Sequence, residues 1–207
     1  MKKQLSEHWF KLATVGLLIV IIAAVAIQMN GKGKPSKLPK YKAAVDFQMS
    51  ALDGEQVSLQ TTSGKARLIY FFYTSCPDVC YPTTQYMSKV QDILAEQGDF
   101  PSKAALISIT FDPKRDTVER LQSFASQYHP DLTGWKFLRG DEAATKDLAL
   151  AYRAQVVKDN KGNFVTHTNT IALIDKKGIV RKYYNASDLE LTPKIIAAEM
   201  TQLINEK

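Results

Sequence analysis

Two cysteines four residues apart are the side chains best suited to chemistry in this sequence of 207 residues. Cys76 and Cys80 directly follow Arg67–Tyr73, a nearly continuous apolar run typical of a buried central strand, and they precede a helical pattern. In α/β proteins, reactive groups are placed in loops at the carboxyl ends of parallel strands. Backbone N–H groups at the start of a helix favour a thiolate over a thiol. The position therefore predicts a reactive pair of sulfurs.

The spacing of the two cysteines allows more than one chemistry. At positions i and i+4 of an initial helical turn both sulfurs point the same way, and two convergent thiolates suit a soft metal such as Cu(I). The pair can also close a disulfide, because Cα separations near ~6 Å are permitted. A structural disulfide, or two inert buried thiols, is the alternative without a functional role. Thioredoxin-type oxidoreductases use C-x-x-C, whereas three residues intervene here.

One α/β domain over residues 45–207 is predicted to position this pair. The sequence pattern indicates an N-terminal hairpin, a strand–helix–strand unit, two helices, an inserted hairpin, two further strands and a closing helix. Their predicted bounds are Val45–Met49, Val57–Leu59, Arg67–Tyr73, Pro82–Glu96, Ala104–Thr110, Thr117–Tyr128, Ala143–Tyr152, Gln155–Val157, Asn163–Val165, Thr170–Ile174, Ile179–Tyr184 and Thr192–Asn205. A parallel core with helical crossovers and an antiparallel end is what a thioredoxin-like sheet gives.

Three histidines could add a metal ligand to the cysteines. His8 lies beside an apolar N-terminal run, and His129 precedes a proline at a predicted helix end, so both are interpreted as surface or capping residues. His167 lies just before the predicted strand Thr170–Ile174, and in a thioredoxin-like fold the loop entering that strand faces the cysteine loop. His167 is therefore the candidate third ligand, with a hydrogen-bonded scaffold role as the alternative.

An apolar segment precedes the domain. Residues 12–31 carry no charge, and at ~1.5 Å per residue they cover the ~30 Å hydrocarbon core of a bilayer. This predicts a flank at 1–11, a retained transmembrane anchor at 12–31 and a basic linker at 32–44, with a cleaved signal peptide as the alternative to the anchor. The linker lysines favour a domain inside the cytoplasm. The signal-like N-terminus and the sulfur chemistry favour the outside, which we adopt.

The basic charge lies mainly outside the domain. The chain has a net charge of +6, but residues 43–207 hold 19 basic and 20 acidic side chains. Nucleic-acid binding needs a basic face on the folded body, so no nucleic-acid partner is expected. Two cysteines are also too few for a disulfide-dependent scaffold.

Three sequence blocks resemble the Sco/SenC family of membrane-anchored copper proteins of cytochrome c oxidase assembly. The blocks are FFYTSCPDVC at 71–80, ISITFDPKRDT at 107–117 and HTNTIALIDKKG at 167–178. The resemblance, which covers roughly residues 45–205, implies a thioredoxin-like fold that binds copper through Cys76, Cys80 and His167. It also implies a supporting or scaffold role for Asp112, Pro113 and Asp116. Many members have proline directly after the second cysteine, where this chain has Tyr81.

The resemblance implies a copper chaperone that delivers copper to the dicopper site of a cytochrome c oxidase subunit, rather than an enzyme. The alternative is an extracytoplasmic thiol–disulfide oxidoreductase that maintains the cysteines of that copper site, with a thioredoxin-like reductant as a further partner. Thioredoxins place a cis-proline in the loop facing their cysteines, and the corresponding loop here has none. This absence and the presence of His167 favour the copper chaperone. A copper or redox sensor would leave no distinguishing motif.

Overall fold

The computed structural model of the chain describes residues 2–30, 37–160 and 164–206. Contacts divide the chain into two units, residues 1–37 and residues 38–207. The first contains helix α1 (Lys2–Asn30). Within the described residues, no helix combines the length and the apolar character needed to cross a membrane. The transmembrane helix predicted at 12–31 is therefore not confirmed.

The second unit alternates strands and helices, as the sequence pattern predicts. Its elements are β1 (Gln48–Ala51), β2 (Gln56–Ser58), β3 (Ala66–Phe72), α2 (Cys80–Glu96), β4 (Ala104–Thr110), α3 (Val118–Ser126), β5 (Trp135–Arg139), α4 (Glu142–Ala151), β6 (Val156–Lys158), β7 (Phe164–His167), β8 (Thr170–Ile174), β9 (Val180–Asn185) and α5 (Pro193–Asn205).

Seven strands form one sheet in the order β2-β1-β5-β4-β3-β8-β9. Strands β3, β4 and β5 are parallel, whereas β8 and β9 extend one side of the sheet in antiparallel fashion. The β1–β2 hairpin extends the other side by antiparallel pairing with β5. Strands β6 and β7 form a separate two-stranded sheet. The structure thus has the predicted mixed α/β architecture, with an N-terminal hairpin and an inserted hairpin.

Strand β5 is absent from the sequence-based prediction, which placed two helices in succession. It pairs in parallel with β4 and contributes Trp135, Phe137 and Leu138 to the core. Lys136 interrupts the apolar pattern, but its ammonium group forms an ion pair with the Glu55 carboxylate at 2.6 Å. Strand β5 is short and contains charged residues, so its sequence does not show the apolar pattern of a strand. Its pairing with β4 stabilises it.

Strand β3 is the rigid support of the cysteine loop. Every residue of β3 and β4 is buried, as expected for strands covered on both faces. Phe72 at the end of β3 stacks on Phe124 of α3 with the ring centroids 5.1 Å apart. Phe71, which points to the opposite face, packs against Tyr152 at the end of α4. The loop that follows β3 therefore starts from a point held on both sides of the sheet.

A buried arginine holds the beginning and the end of the second unit together. Arg181 of β9 donates to the carbonyl oxygens of Leu38 and Pro39. Its guanidinium also forms ion pairs with Asp175 at 3.1 Å and Glu206 at 2.7 Å. Asp175 follows β8, which runs antiparallel to β3. The unit therefore begins at the end of the sheet remote from the cysteine loop.

Candidate metal centre

The two cysteines lie where β3 ends and α2 begins. Cys80 is the first residue of α2, and Cys76 precedes it in the connecting loop. Both side chains are completely buried, and the two cysteines are not joined in a disulfide. The backbone N–H of Cys80 donates to the Cys76 sulfur at 3.4 Å. That sulfur thus accepts one of the N–H groups that the start of a helix leaves without an intrahelical partner. The predicted strand–loop–helix setting is confirmed.

The environment of Cys80 opposes ionisation. Its side-chain hydrogen bond with Cys76 and, second, its burial raise the pKa of the Cys80 thiol well above its usual range. The backbone N–H of Cys80 is directed at the Cys76 sulfur, so the helix N-terminus donates to Cys76. The Cys80 proton has to leave before this sulfur can bind a metal ion or form a disulfide.

A buried carboxylate holds the loop that carries Cys76. The Asp116 side chain accepts three hydrogen bonds, from the Thr74 backbone N–H at 3.0 Å and from the Thr74 and Thr110 hydroxyls at 2.5 Å each. Asp116 is itself completely buried, and its backbone N–H donates to the Asp112 carbonyl at 2.8 Å. The block ISITFDPKRDT thus contains the residue that anchors the cysteine loop, a contact between residues 42 positions apart.

Two further side chains fix the same loop from its outer side. The Tyr81 hydroxyl donates to the Thr74 carbonyl at 3.3 Å, and its ring packs against Phe124 at 5.5 Å. Arg120 donates to the Ser75 hydroxyl at 2.9 Å. Tyr81 therefore makes a bond to the loop that a proline at this position could not make. The sequence gives no signal of either contact, because each joins separate elements.

His167 is the last residue of β7 and lies opposite Val156 of β6 in the small sheet. The sequence pattern ended this hairpin at Val165 and placed His167 in the following loop, so the predicted end of the strand is two residues too early. The His167 side chain lies outside those that the structure describes, and its role as a ligand stays a prediction. Among the described side chains, no group of three His, Cys, Asp or Glu residues is arranged to hold a metal ion.

The chain just beyond His167 is anchored beside the cysteine-bearing helix. Asn169 is buried, and its side-chain amide donates to the Thr83 hydroxyl at 2.8 Å. Thr83 lies in the first turn of α2, three residues after Cys80. The Asn169 carbonyl accepts the Ala186 backbone N–H at 2.7 Å, which fixes the same segment from β9. Sequence reasoning did not single out Asn169, whose role depends on contacts far along the chain.

Comparison with known proteins identifies the family of the chain. The sequence model of the SCO1/SenC family matches residues 35–205. The chain belongs to the SCO1/SenC family. The SCO1 protein homolog of Bacillus subtilis (strain 168) is 31% identical over 183 residues, which cover 87% of this chain and 89% of that relative. The resemblance seen in the three sequence blocks is therefore confirmed.

Solved structures agree with this SCO1/SenC assignment. A SCO1/SenC family lipoprotein from Bacillus anthracis has a TM-score of 0.70 and 26% identity, covering 78% of this chain and 95% of that one. BsSco, described with a disulfide switch and as a member of the Sco family of cytochrome c oxidase assembly proteins, has a TM-score of 0.69 and 27% identity, covering 83% and 98%. Bradyrhizobium japonicum ScoI with copper bound has a TM-score of 0.64 and 30% identity, covering 78% and 99%. These similarities confirm the predicted thioredoxin-like fold.

Replacing Asp116 by alanine should destabilise the SCO1/SenC domain by about 3 kcal/mol or more, because the substitution leaves three buried donors without an acceptor. The measurement is the free energy of unfolding of the reduced chain in guanidinium chloride. Asp78→Ala is the matched control: Asp78 is an exposed carboxylate in the same loop, and its loss should change the unfolding free energy by less than about 0.5 kcal/mol. Equal effects of the two substitutions would contradict the anchoring role of Asp116.

Proposed function

We propose that this SCO1/SenC protein is a copper carrier that binds one copper ion through Cys76, Cys80 and His167. It delivers the ion to the copper-site subunit of cytochrome c oxidase. The observation that carries the proposal is the pair of adjacent thiols, not joined in a disulfide, that an anchored loop holds at the start of α2. The copper-bound form of the relative ScoI supports copper as the cargo. The description of BsSco as one of the cytochrome c oxidase assembly proteins supports the oxidase as the recipient.

The proposed ligand set fits the transfer of copper. Two thiolates and one imidazole are soft enough for Cu(I) and also accept Cu(II). Three protein ligands leave one side of the ion open, so that a thiolate of the recipient can replace the ligands of the carrier one after another. The anchoring of Asn169 at the first turn of α2 supports His167 as the third ligand, since it fixes the backbone two residues beyond His167 near Cys80.

A second candidate function is thiol–disulfide exchange with the copper-site cysteines of the oxidase, served by a thioredoxin-like reductant. The disulfide switch described for BsSco favours it, as does the presence of two adjacent thiols in this chain. The copper-bound structure of the relative ScoI, 30% identical to this chain, favours copper binding over thiol exchange. We therefore place copper binding first.

We also propose that residues 12–31 anchor the domain to a membrane, with the domain outside the cytoplasm. The uncharged run of this segment supports the proposal, as does the lipoprotein nature of the Bacillus anthracis relative. The two cysteines of this chain lie far beyond the apolar segment, so the anchor would be the segment itself. The domain begins at Leu38, at the end of the sheet remote from the cysteines, which leaves the cysteine end available to a partner.

If residues 12–31 anchor the chain, we expect it to stay in the membrane fraction when membranes are washed with alkaline carbonate. A variant lacking residues 2–31 should appear in the supernatant, because it has lost the apolar segment. Western blotting of both fractions measures the distribution. Release of the unaltered chain by carbonate would contradict the anchor without affecting the proposed copper site.

Loss of His167 should weaken copper retention while both thiols remain. In His167→Ala we expect Cu(II) affinity at least about tenfold below that of the unaltered chain, since even groups that only support a metal ligand contribute that much. His129→Ala is the control, because His129 lies beyond α3 in a separate turn. Anaerobic titration of the reduced chain against a competing chelator measures stoichiometry and affinity.

The titration also separates the two candidate functions. One tightly held copper ion per chain, weakened in His167→Ala and unaffected in His129→Ala, would support the carrier and its third ligand. Weak uptake without a fixed stoichiometry, and indifferent to His167, would reject the carrier in favour of thiol–disulfide exchange.

Copper affinity should increase with pH. The pKa of the Cys80 thiol is raised above its usual range, so this sulfur is protonated at neutral pH and copper has to displace the proton. Each proton released makes the apparent affinity about tenfold higher per pH unit as long as the pH stays below that pKa. Competition titrations between about pH 6 and about pH 8, corrected for the protonation of the chelator, measure the slope. An affinity independent of pH would contradict proton displacement.

A further inference from the structure

Glu142, in the first turn of α4, joins two lysines from separate segments of the chain. Its carboxylate forms one ion pair with the ammonium group of Lys158, at the end of β6, and another with that of Lys114 at 2.9 Å. The hydrogen bonds from Lys158 and, second, from Lys114 lower the pKa of Glu142 to about 2. The start of a helix also favours a negative charge. Glu142 is therefore ionised at neutral pH.

The two ion pairs of Glu142 differ in burial. The side chains of Lys158 and Glu142 are each 29% exposed, whereas the Lys114 side chain is 81% exposed. Exposed ion pairs contribute little to stability, because water and salt screen them and two long side chains lose conformational freedom. The pair with Lys158 is therefore the one that can hold an element of the structure in place.

Lys158 belongs to the β6–β7 hairpin, which ends at His167. In this hairpin Lys158 lies opposite Phe164, and Val156 lies opposite His167. The two strands form a sheet of their own, apart from the seven-stranded sheet. Because an isolated two-stranded hairpin is at best marginally stable in water, the position of this hairpin depends on side-chain contacts such as that of Lys158 with Glu142.

The second lysine relates Glu142 to the cysteine loop. Lys114 lies in the segment between β4 and α3. Two residues further along the same segment, the Asp116 carboxylate accepts the Thr74 backbone N–H and so anchors the loop that carries Cys76. Glu142 therefore connects the segment that anchors the cysteine loop with the hairpin that ends at His167.

We propose that Glu142 is a positioning residue for His167. By holding Lys158, it keeps the β6–β7 hairpin in place relative to the anchored cysteine loop, so that the histidine and the two cysteines can bind the same ion. Glu142 acts through the hairpin and is not itself a ligand. The inference rests on the proposed function, in which Cys76, Cys80 and His167 bind copper.

Glu142→Gln tests this inference, because it removes the charge and keeps the size of the side chain. We expect Cu(II) affinity to fall about three- to tenfold, the effect of losing one partly buried ion pair. In the His167→Ala background the same substitution should leave the affinity unchanged, because no imidazole remains to be positioned. Competition titrations of the unaltered chain, both single variants and the double variant measure the two differences.

Glu199→Gln is the matched control, since it makes the same chemical change at another ion pair of similar burial. Glu199 of α5 pairs with Lys182 of β9 at 2.7 Å, and its side chain is 21% exposed. Copper affinity should be unchanged in this variant. An unaltered affinity in Glu142→Gln would overturn the inference, as would an equal loss in Glu199→Gln or an equal loss with and without His167.

Hydrogen exchange keeps this test separate from the test of the proposed function. If the unaltered chain takes up no copper, the carrier role fails, and the backbone amides of residues 156–158 and 164–167 in the copper-free chain test the hold on the hairpin. Exchange that is several-fold faster there in Glu142→Gln, but not in Glu199→Gln, would support it. Equal exchange of these amides in all three chains would overturn it.

Discussion

The geometry of the cysteine pair depends on one buried carboxylate. Because Asp116 accepts both donors of Thr74, the turn after β3 cannot move without exposing or orphaning polar groups that are now satisfied. The Cys80 N–H fixes the Cys76 sulfur from the side of the helix. The two sulfurs are thus brought together by backbone contacts before any metal arrives, which reduces the ordering cost of binding.

The hydrogen bond between the two thiols and, second, burial oppose the ionisation of Cys80. The raised pKa of the Cys80 thiol keeps that sulfur protonated and a poor nucleophile at neutral pH. A soft metal ion can still displace the proton, because its bonds to the sulfurs compensate for the loss of solvation.

Sequence patterns predicted the elements that are determined by residues close together in the chain. The continuous apolar runs of β3 and β4 and the strand–helix position of Cys76 and Cys80 are of this kind, and the structure confirms them. Strand β5 was not predicted, because Lys136 interrupts its apolar residues. The charge of Lys136 is balanced by Glu55, which is distant in the sequence. The anchoring of Thr74 by Asp116 and the pairing of Asn169 with Thr83 also join distant positions, which periodicity does not reveal. The raised pKa of the Cys80 thiol follows first from its hydrogen bond with Cys76 and then from burial. Both depend on tertiary structure, so the sequence pattern did not reveal this shift.

The ligand set is the central claim, and X-ray absorption at the copper edge tests it most directly. We predict two sulfur ligands and one imidazole nitrogen in the copper-loaded chain. In His167→Ala the imidazole signal should disappear while both sulfurs remain. A spectrum with a single sulfur, or an imidazole signal that persists in His167→Ala, would contradict the proposed site.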